Sequence, residues 1–158
     1  MILVFNLNDI IINNLFFTET RKNITMDGTF SKIIYSDENV AMNGIYLNMC
    51  IDDYSYDKSH SKIILKGTKN NIKIINEITE LEHYILKYFK HINATTKQTK
   101  YLLKEQLNAM LIKVYRYNHQ HLNNIELNGK TILRISGIWE DTNNIGLTFK
   151  IMEIFPLV

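Results

Sequence analysis

The spacing of apolar residues changes along this chain, and that change constrains the fold more than any other feature. Up to Ile75, apolar residues follow strand patterns, and the turn signals between them are Asn13-Asn14, Asp27-Gly28, Asn43-Gly44 and Asp52-Asp53. Apolar residues then recur every three or four positions, at Ile78, Leu81, Ile85, Tyr88, Phe89 and Ile92. This spacing indicates one amphipathic helix, and strand patterns return after it. The predicted fold class is therefore α+β, mostly β, with one main helix between two groups of strands.

The individual elements can be placed from the same patterns. Before the helix the predicted strands are Ile2–Ile12, Leu15–Ile24, Thr29–Tyr35, Val40–Ile51 and Lys62–Lys66, and after it they are Met110–Tyr117, Thr131–Trp139 and Ile145–Phe155. Asn76 is the predicted N-cap of the helix, Asn93 its end, and a weaker helix is predicted over Lys100–Asn108. Asn43-Gly44 fits either a hairpin turn or a bulge inside one long bent strand.

This order of elements predicts an OB-fold-like antiparallel barrel with the main helix at one end. The alternative is a different α+β sheet with the helix laid across one face. A length of 158 residues, 46% of them apolar, fits a single domain over residues 1–158.

The only cysteine is Cys50, so no disulfide can form within the chain and a reducing, intracellular compartment is expected. If the protein is viral, that compartment is the host cytoplasm or nucleus. The apolar N-terminus lacks the basic segment and cleavage site of a signal peptide and is interrupted by Asn and Asp, so no membrane association is expected. Abundant Ile and Asn, and Lys far in excess of Arg, are typical of an AT-rich genome.

Charge is unevenly distributed although the net charge is only +2. There are 3 basic and 7 acidic residues from Met1 to Asp53, 12 and 5 from Tyr54 to Tyr117, and 3 and 4 from Asn118 to Val158. The middle segment, at +7, is either a solvated lysine surface or a surface for nucleic acid.

No motif predicts catalysis. Asp52, Asp53 and Asp57 are typical of an acidic loop, and His119-Gln120-His121 lacks further ligands at zinc-like spacing. Gly67-Thr68-Lys69 lacks the second glycine of a phosphate loop, and Cys50 lies in an apolar run that favours a buried, inert thiol. We therefore predict a non-enzymatic protein with no catalytic residue, metal or cofactor.

Basic and aromatic residues alternate on the predicted strands, as single-strand binding requires. Lysine and arginine contact phosphates, and aromatic rings stack on bases without selecting sequence. The predicted nucleic-acid-binding residues are Tyr35, Tyr46, Lys62, Lys66, Lys69, Lys113, Tyr115, Arg116, Tyr117, Arg134, Trp139 and Lys150. For each aromatic residue alone, packing in the core is an equally good explanation, and the sequence leaves both roles open for Trp139.

Three segments resemble a known family. They are ILRISGIWEDTNNIGLTFKIMEI (Ile132–Ile154), IIYSDENVAMNGIYL (Ile33–Leu47) and LKEQLNAMLIKVY (Leu103–Tyr115). Together they resemble OB-fold single-stranded DNA-binding proteins of podophage, large DNA virus and cytoplasmic linear plasmid replication systems. The resemblance implies a non-catalytic protein that coats exposed DNA strands during replication. The matching positions implied to bind DNA are Lys113, Tyr115, Arg134, Trp139 and Lys150.

The sequence leaves other functions and partners open. The alternative function is a viral structural or assembly protein without nucleic-acid affinity. RNA, a second copy of the chain and unidentified replication proteins are further candidate partners. Phage members of the family often end in an acidic tail, whereas this sequence ends in the apolar Phe155-Pro156-Leu157-Val158, which we expect to serve self-association.

Overall fold

A computed structural model describes residues 3–57, 62–118 and 131–155. The α-helices are α1 (Lys69–Asn93) and α2 (Leu102–Asn108). The strands are β1 (Leu15–Phe17), β2 (Arg21–Lys22), β3 (Thr29–Ser36), β4 (Ala41–Asn43), β5 (Ile45–Asn48), β6 (Tyr54–Asp57), β7 (Lys62–Leu65), β8 (Gln98–Lys100), β9 (Leu111–Lys113), β10 (Tyr115–Asn118), β11 (Thr131–Glu140) and β12 (Asn144–Phe155). The predicted class, α+β and mostly β, is confirmed.

Nine strands form one large sheet, and β11 and β12 are at its centre. These two strands pair antiparallel from Thr131↔Glu153 to Glu140↔Ile145, as the C-terminal pattern predicts. β3 and β5 pair antiparallel with β11, while β8 and β10 pair parallel with β12. The sheet therefore mixes parallel and antiparallel pairs.

The large sheet is open. Its strand order is β1–β3–β11–β12–β10, and within the described residues the two end strands do not pair with each other. The predicted OB-fold barrel is thus not confirmed, and the arrangement corresponds to the alternative of a sheet with helices on one face. Closing a barrel requires edge strands to meet, and here β6, β7 and β9 form a separate three-stranded sheet.

Gly44 marks the point where the chain moves from one neighbouring strand to another. β4 pairs with β3 and β5 pairs with β11, so the predicted strand Val40–Ile51 is broken at this residue. Gly44 has a φ of +85°, and a Cβ there would lie 2.7 Å from the Ile135 carbonyl oxygen. A side chain is therefore excluded by both conformation and space.

The predicted strand Met110–Tyr117 is likewise divided. Val114 separates β9, which pairs with β7 in the small sheet, from β10, which pairs with β12 in the large sheet. Val114 and Ile112 are buried, whereas Leu111, Lys113 and Tyr115 are exposed. The predicted alternation of faces therefore holds across the break, and one segment joins the two sheets.

Helix α1 begins earlier than predicted. Its N-cap is Thr68, whose hydroxyl accepts a hydrogen bond from the Asn71 N–H at 3.0 Å, and not Asn76. The predicted end at Asn93 is confirmed, and Ala94 follows in the left-handed conformation. The helix buries its apolar stripe, including Ile78, Ile85 and Phe89, in the main core together with residues of both sheets.

The N-terminal segment is not a strand. The predicted strand Ile2–Ile12 is wrong over its described residues, which contain a 3₁₀ turn at Leu7–Asp9 and a single bridge from Phe5 to Leu47. Phe5 instead packs against Tyr35, with ring centroids 4.9 Å apart. The strands β6 and β8 were not predicted, because each has only three or four residues and no extended apolar alternation.

Candidate nucleic-acid interface

The large sheet has one face against the helices and one face away from them. Leu133, Ile135, Leu147 and Ile151 alternate along β11 and β12 into the main core, which also contains the apolar stripe of α1. Because successive side chains of a strand point to opposite faces, Arg134 on β11 and Gly146, Thr148 and Lys150 on β12 lie on the other side. We call that side of the large sheet the outer face.

A row of three residues crosses the outer face on β5, β11 and β12. Tyr46 is paired with Arg134, and Arg134 is paired with Lys150. The Arg134 guanidinium carbon lies 5.5 Å from the centre of the Tyr46 ring, a cation–π distance. The Arg134 Nε is buried and donates no hydrogen bond within the described residues.

Tyr115 lies at the next strand, beside this row. Its side chain is 41% exposed, and its ring centre is 4.4 Å from the Lys150 Nζ and 5.4 Å from the Lys113 Nζ. Lys62 is the cross-strand partner of Lys113 in the small sheet. We call Tyr46, Arg134, Lys150, Tyr115 and Lys113 the tyrosine cluster.

Trp139 lies on the same face, because the register shift between Ile135 and Gly137 offsets its odd spacing from Arg134, which is about 16 Å away at roughly 3.3 Å per residue. It is half-buried and outside the core, and its strand partners are Phe30 and Gly146. A Cβ at Gly146 would lie 2.6 Å from the indole, so the ring occupies the space above that glycine. Phe30 fills the corresponding space above Gly137, where a Cβ would lie 2.4 Å from its ring. The absence of two side chains therefore creates an aromatic platform on the outer face.

Other predicted residues lie elsewhere. Tyr35 is only 2% exposed in the core, where its hydroxyl accepts a hydrogen bond from Asn14, so it presents no ring to a ligand. Lys66 forms an ion pair of 2.6 Å with Asp53, and Lys69 begins α1. Arg116 and Tyr117 belong to β10, but their side chains, like His119-Gln120-His121, lie outside the described part of the structure.

Several outer-face residues were missed by sequence reasoning. Register places Arg21 beside Phe30, Lys32 beside Gly137, and Lys100 beside Gly146. Alternation along β3 could have separated Phe30 and Lys32 from the buried Ile33 and Tyr35. Their position beside Trp139 could not be predicted, because it depends on how strands distant in sequence pair.

Two acidic residues of the predicted loop, Asp52 and Asp53, have partners within the structure. Asp52 accepts a hydrogen bond from the Thr68 hydroxyl at 2.7 Å, which ties the loop to the start of α1. Among the described side chains, no three from His, Cys, Asp and Glu are grouped as a metal site requires. Cys50 is exposed with a φ of 45°, so the predicted burial of its thiol is wrong.

Among the described residues, two carboxyl groups, those of Glu82 and Asp141, have shifted pKa values. Burial raises the pKa of Glu82. Hydrogen bonds from the backbone N–H groups of Lys104 and Leu103 lower it, but their effect is smaller than that of burial. Hydrogen bonds from the side chain of Asn144 and from two backbone N–H groups lower the pKa of Asp141 in the β11–β12 turn. Neither carboxyl adjoins a described nucleophile or metal site, so the shifts indicate structural roles.

No protein-family model, characterised protein or solved structure matches the chain. Its resemblance to single-stranded DNA-binding proteins therefore stays a prediction. Of the helices in the described residues, none combines the length and the hydropathy that crossing a lipid bilayer requires.

Proposed function

We propose that this protein binds single-stranded DNA on the outer face, without sequence preference and without catalysis. One observation carries the proposal: the open sheet brings aromatic rings and cations from distant parts of the chain onto a single face, where Tyr115 and Lys150 are exposed and Tyr46 and Trp139 are half-buried. The residues concerned are Tyr46, Lys113, Tyr115, Arg134, Trp139 and Lys150. Proteins that hold single strands need this mixture, since rings stack on bases and cations follow the phosphates.

The pairing of charges supports a polyanionic ligand. Of the described lysines, Lys66, Lys73 and Lys97 have carboxylate partners. Within the described residues, Arg134 and Lys150 have no carboxylate partner. Their described contacts are with tyrosine rings. A phosphate would supply the missing counter-charge and would reduce the repulsion between the lysines on either side of Tyr115.

The rings favour a single strand over a duplex. Bases in a duplex are already stacked on each other, so an exposed ring such as Tyr115 gains little from them. An unpaired base can stack on the ring, which stabilises binding by about 1–3 kcal/mol per base. A role in protecting strands during replication, and a viral or linear-plasmid origin, are proposed only from the resemblance of the three segments Ile33–Leu47, Leu103–Tyr115 and Ile132–Ile154.

The test replaces one exposed ring on each side of the molecule. We expect Tyr115→Ala to weaken binding to oligo-dT by about 5- to 150-fold, which corresponds to the loss of one stacked base. The control is Tyr84→Ala, because Tyr84 is 54% exposed on α1, away from the outer face. Fluorescence anisotropy of labelled oligo-dT at low salt measures both, and far-UV circular dichroism verifies folding.

Equal affinity of the two variants would contradict the proposed interface. If the wild type binds neither oligo-dT nor a matched RNA at low salt, the proposed function is wrong. Stable self-assembly in that case would favour the alternative of a structural or assembly protein. Tighter binding of the RNA than of the DNA would assign the outer face to RNA, which alone offers a 2′-hydroxyl.

A further inference from the structure

A groove of about 570 Å³ lies where the β2–β3 hairpin rises beside the outer face. Arg21, Lys22 and Ile24 of the hairpin form one wall, and Phe30, Lys32 and Thr148 of the sheet lie along it. Ligand pockets commonly enclose about 300–1,000 Å³, so the space suits a ligand of nucleotide size.

The charge of the groove is opposite to that of the segment that builds it. Residues 1–53 contain 7 acidic residues and only three basic ones, Arg21, Lys22 and Lys32, and all three basic residues line the groove. No carboxylate is among the described lining residues. Strand pairing and the hairpin therefore concentrate positive charge at one place, which favours an anionic group such as a phosphate.

The groove also offers exposed apolar surface. Ile24 is 100% exposed at the hairpin tip, and Phe30 is half-buried above Gly137. The tip is held in shape, because the Asn23 side-chain oxygen accepts hydrogen bonds from the N–H and the hydroxyl of Thr25. A ligand with both a negative group and a flat apolar ring would satisfy the two kinds of surface together.

The groove is continuous with the outer face. Phe30, which lines it, is the strand partner of Trp139, and Thr148 lies two residues from Lys150 on β12. We propose, on the basis of the proposed function, that the groove binds one further nucleotide of the same strand. Arg21 and Lys32 hold its phosphate, and its base lies between Phe30 and Ile24. The strand then extends beyond the tyrosine cluster and Trp139 to a defined end site.

The experiment compares variants across oligo-dT lengths of about 4, 8, 12 and 16 nucleotides, the range typical of single-strand sites. We expect the double variant Arg21→Ala/Lys32→Ala to bind the longest oligomer about 10-fold or more weakly and the shortest bound oligomer as the wild type does. The matched control, Lys87→Ala/Lys104→Ala, removes the same charge from exposed helix positions. Ile24→Ser tests the apolar contact without changing charge, and because Ile24 is fully exposed it cannot unfold the core.

The outcomes separate this inference from the proposed function. Length-dependent loss in both groove variants, and none in the control, supports the inference. Equal loss at every length, or no loss while the wild type still binds, overturns the inference and leaves the outer face as the binding site. Failure of the wild type to bind any length overturns both. Binding of free thymidine monophosphate as tight as that of the longest oligomer would also overturn it, since the groove would then act without the strand.

Discussion

Trp139 sits beside Gly146, and this single neighbour determines how the indole is presented. The ring occupies the space that a side chain at position 146 would fill, so it is half-buried, on the outer face and outside the core. The sequence left open whether Trp139 stacks on a ligand or packs in the core. That choice depends on which residue of β12 lies opposite, which strand register decides.

We expect Gly146→Ala to displace the indole of Trp139. The added methyl group would lie 2.6 Å from the ring, so the ring must move outward and its fluorescence emission must shift to longer wavelength. Crowding of this kind lowers the free energy of unfolding by about 1–3 kcal/mol. Gly67→Ala is the control, because nothing lies within 4 Å of a Cβ there. Urea unfolding followed by tryptophan fluorescence measures both, and unchanged emission in Gly146→Ala would refute the described contact.

Among the elements, α2 depends on α1 for its start. Its first residue is Leu102, and the N-cap residue Tyr101 makes no side-chain cap hydrogen bond. Instead the buried carboxylate of Glu82, on α1, accepts hydrogen bonds from the N–H groups of Leu103 at 3.0 Å and Lys104 at 2.8 Å. The helix is thus capped by a residue distant in sequence, which no local pattern predicts.

The Glu82 contact predicts a pH dependence of stability. Burial raises the pKa of Glu82 above its usual value of 4.5, so the folded protein binds this proton more tightly than the unfolded chain does. The resulting stabilisation is complete below pH 4.5 and is lost as the pH rises through the raised pKa. We therefore expect the free energy of unfolding of the wild type, relative to Glu82→Gln, to fall as the pH rises.

Urea unfolding across a pH series tests this prediction. At the acidic end we expect Glu82→Gln to be less stable by about 1–3 kcal/mol, because the amide nitrogen cannot accept one of the two backbone hydrogen bonds. Glu80→Gln, exposed on the same helix, should change little at any pH. A difference between wild type and Glu82→Gln that does not vary with pH would show that the carboxyl titrates normally.

In the whole molecule, positive charge is distributed over both faces of the large sheet. Lys113, Arg134 and Lys150 lie in the tyrosine cluster, while Lys87 and Lys104 are exposed on the helices that cover the opposite face. The +7 segment of the sequence therefore contributes to both sides. Sequence charge alone could not say which lysines share a surface.

This division predicts different salt dependences for single substitutions. If Lys150 contacts one phosphate, Lys150→Ala should make the slope of log K against log salt less steep by about 0.7, the value expected for one contact with a single strand. Lys87→Ala should leave the slope unchanged. Oligo-dT titrations at several salt concentrations measure it, and equal slopes for Lys150→Ala and the wild type would exclude a phosphate contact at this lysine.

By itself the sequence determined the local features of this protein: its α+β class, the stripe and the end of α1, the long pair β11–β12, and the alternation that puts Lys113 and Tyr115 on one side. These follow from residue spacing and turn chemistry, which act over a few positions. Only the tertiary structure decided that the sheet is open, that Tyr35 is buried, and that Phe30 adjoins Trp139 and Lys32 adjoins Gly137. Those outcomes depend on pairing between strands far apart in the chain, where many registers satisfy the same local pattern and packing selects one.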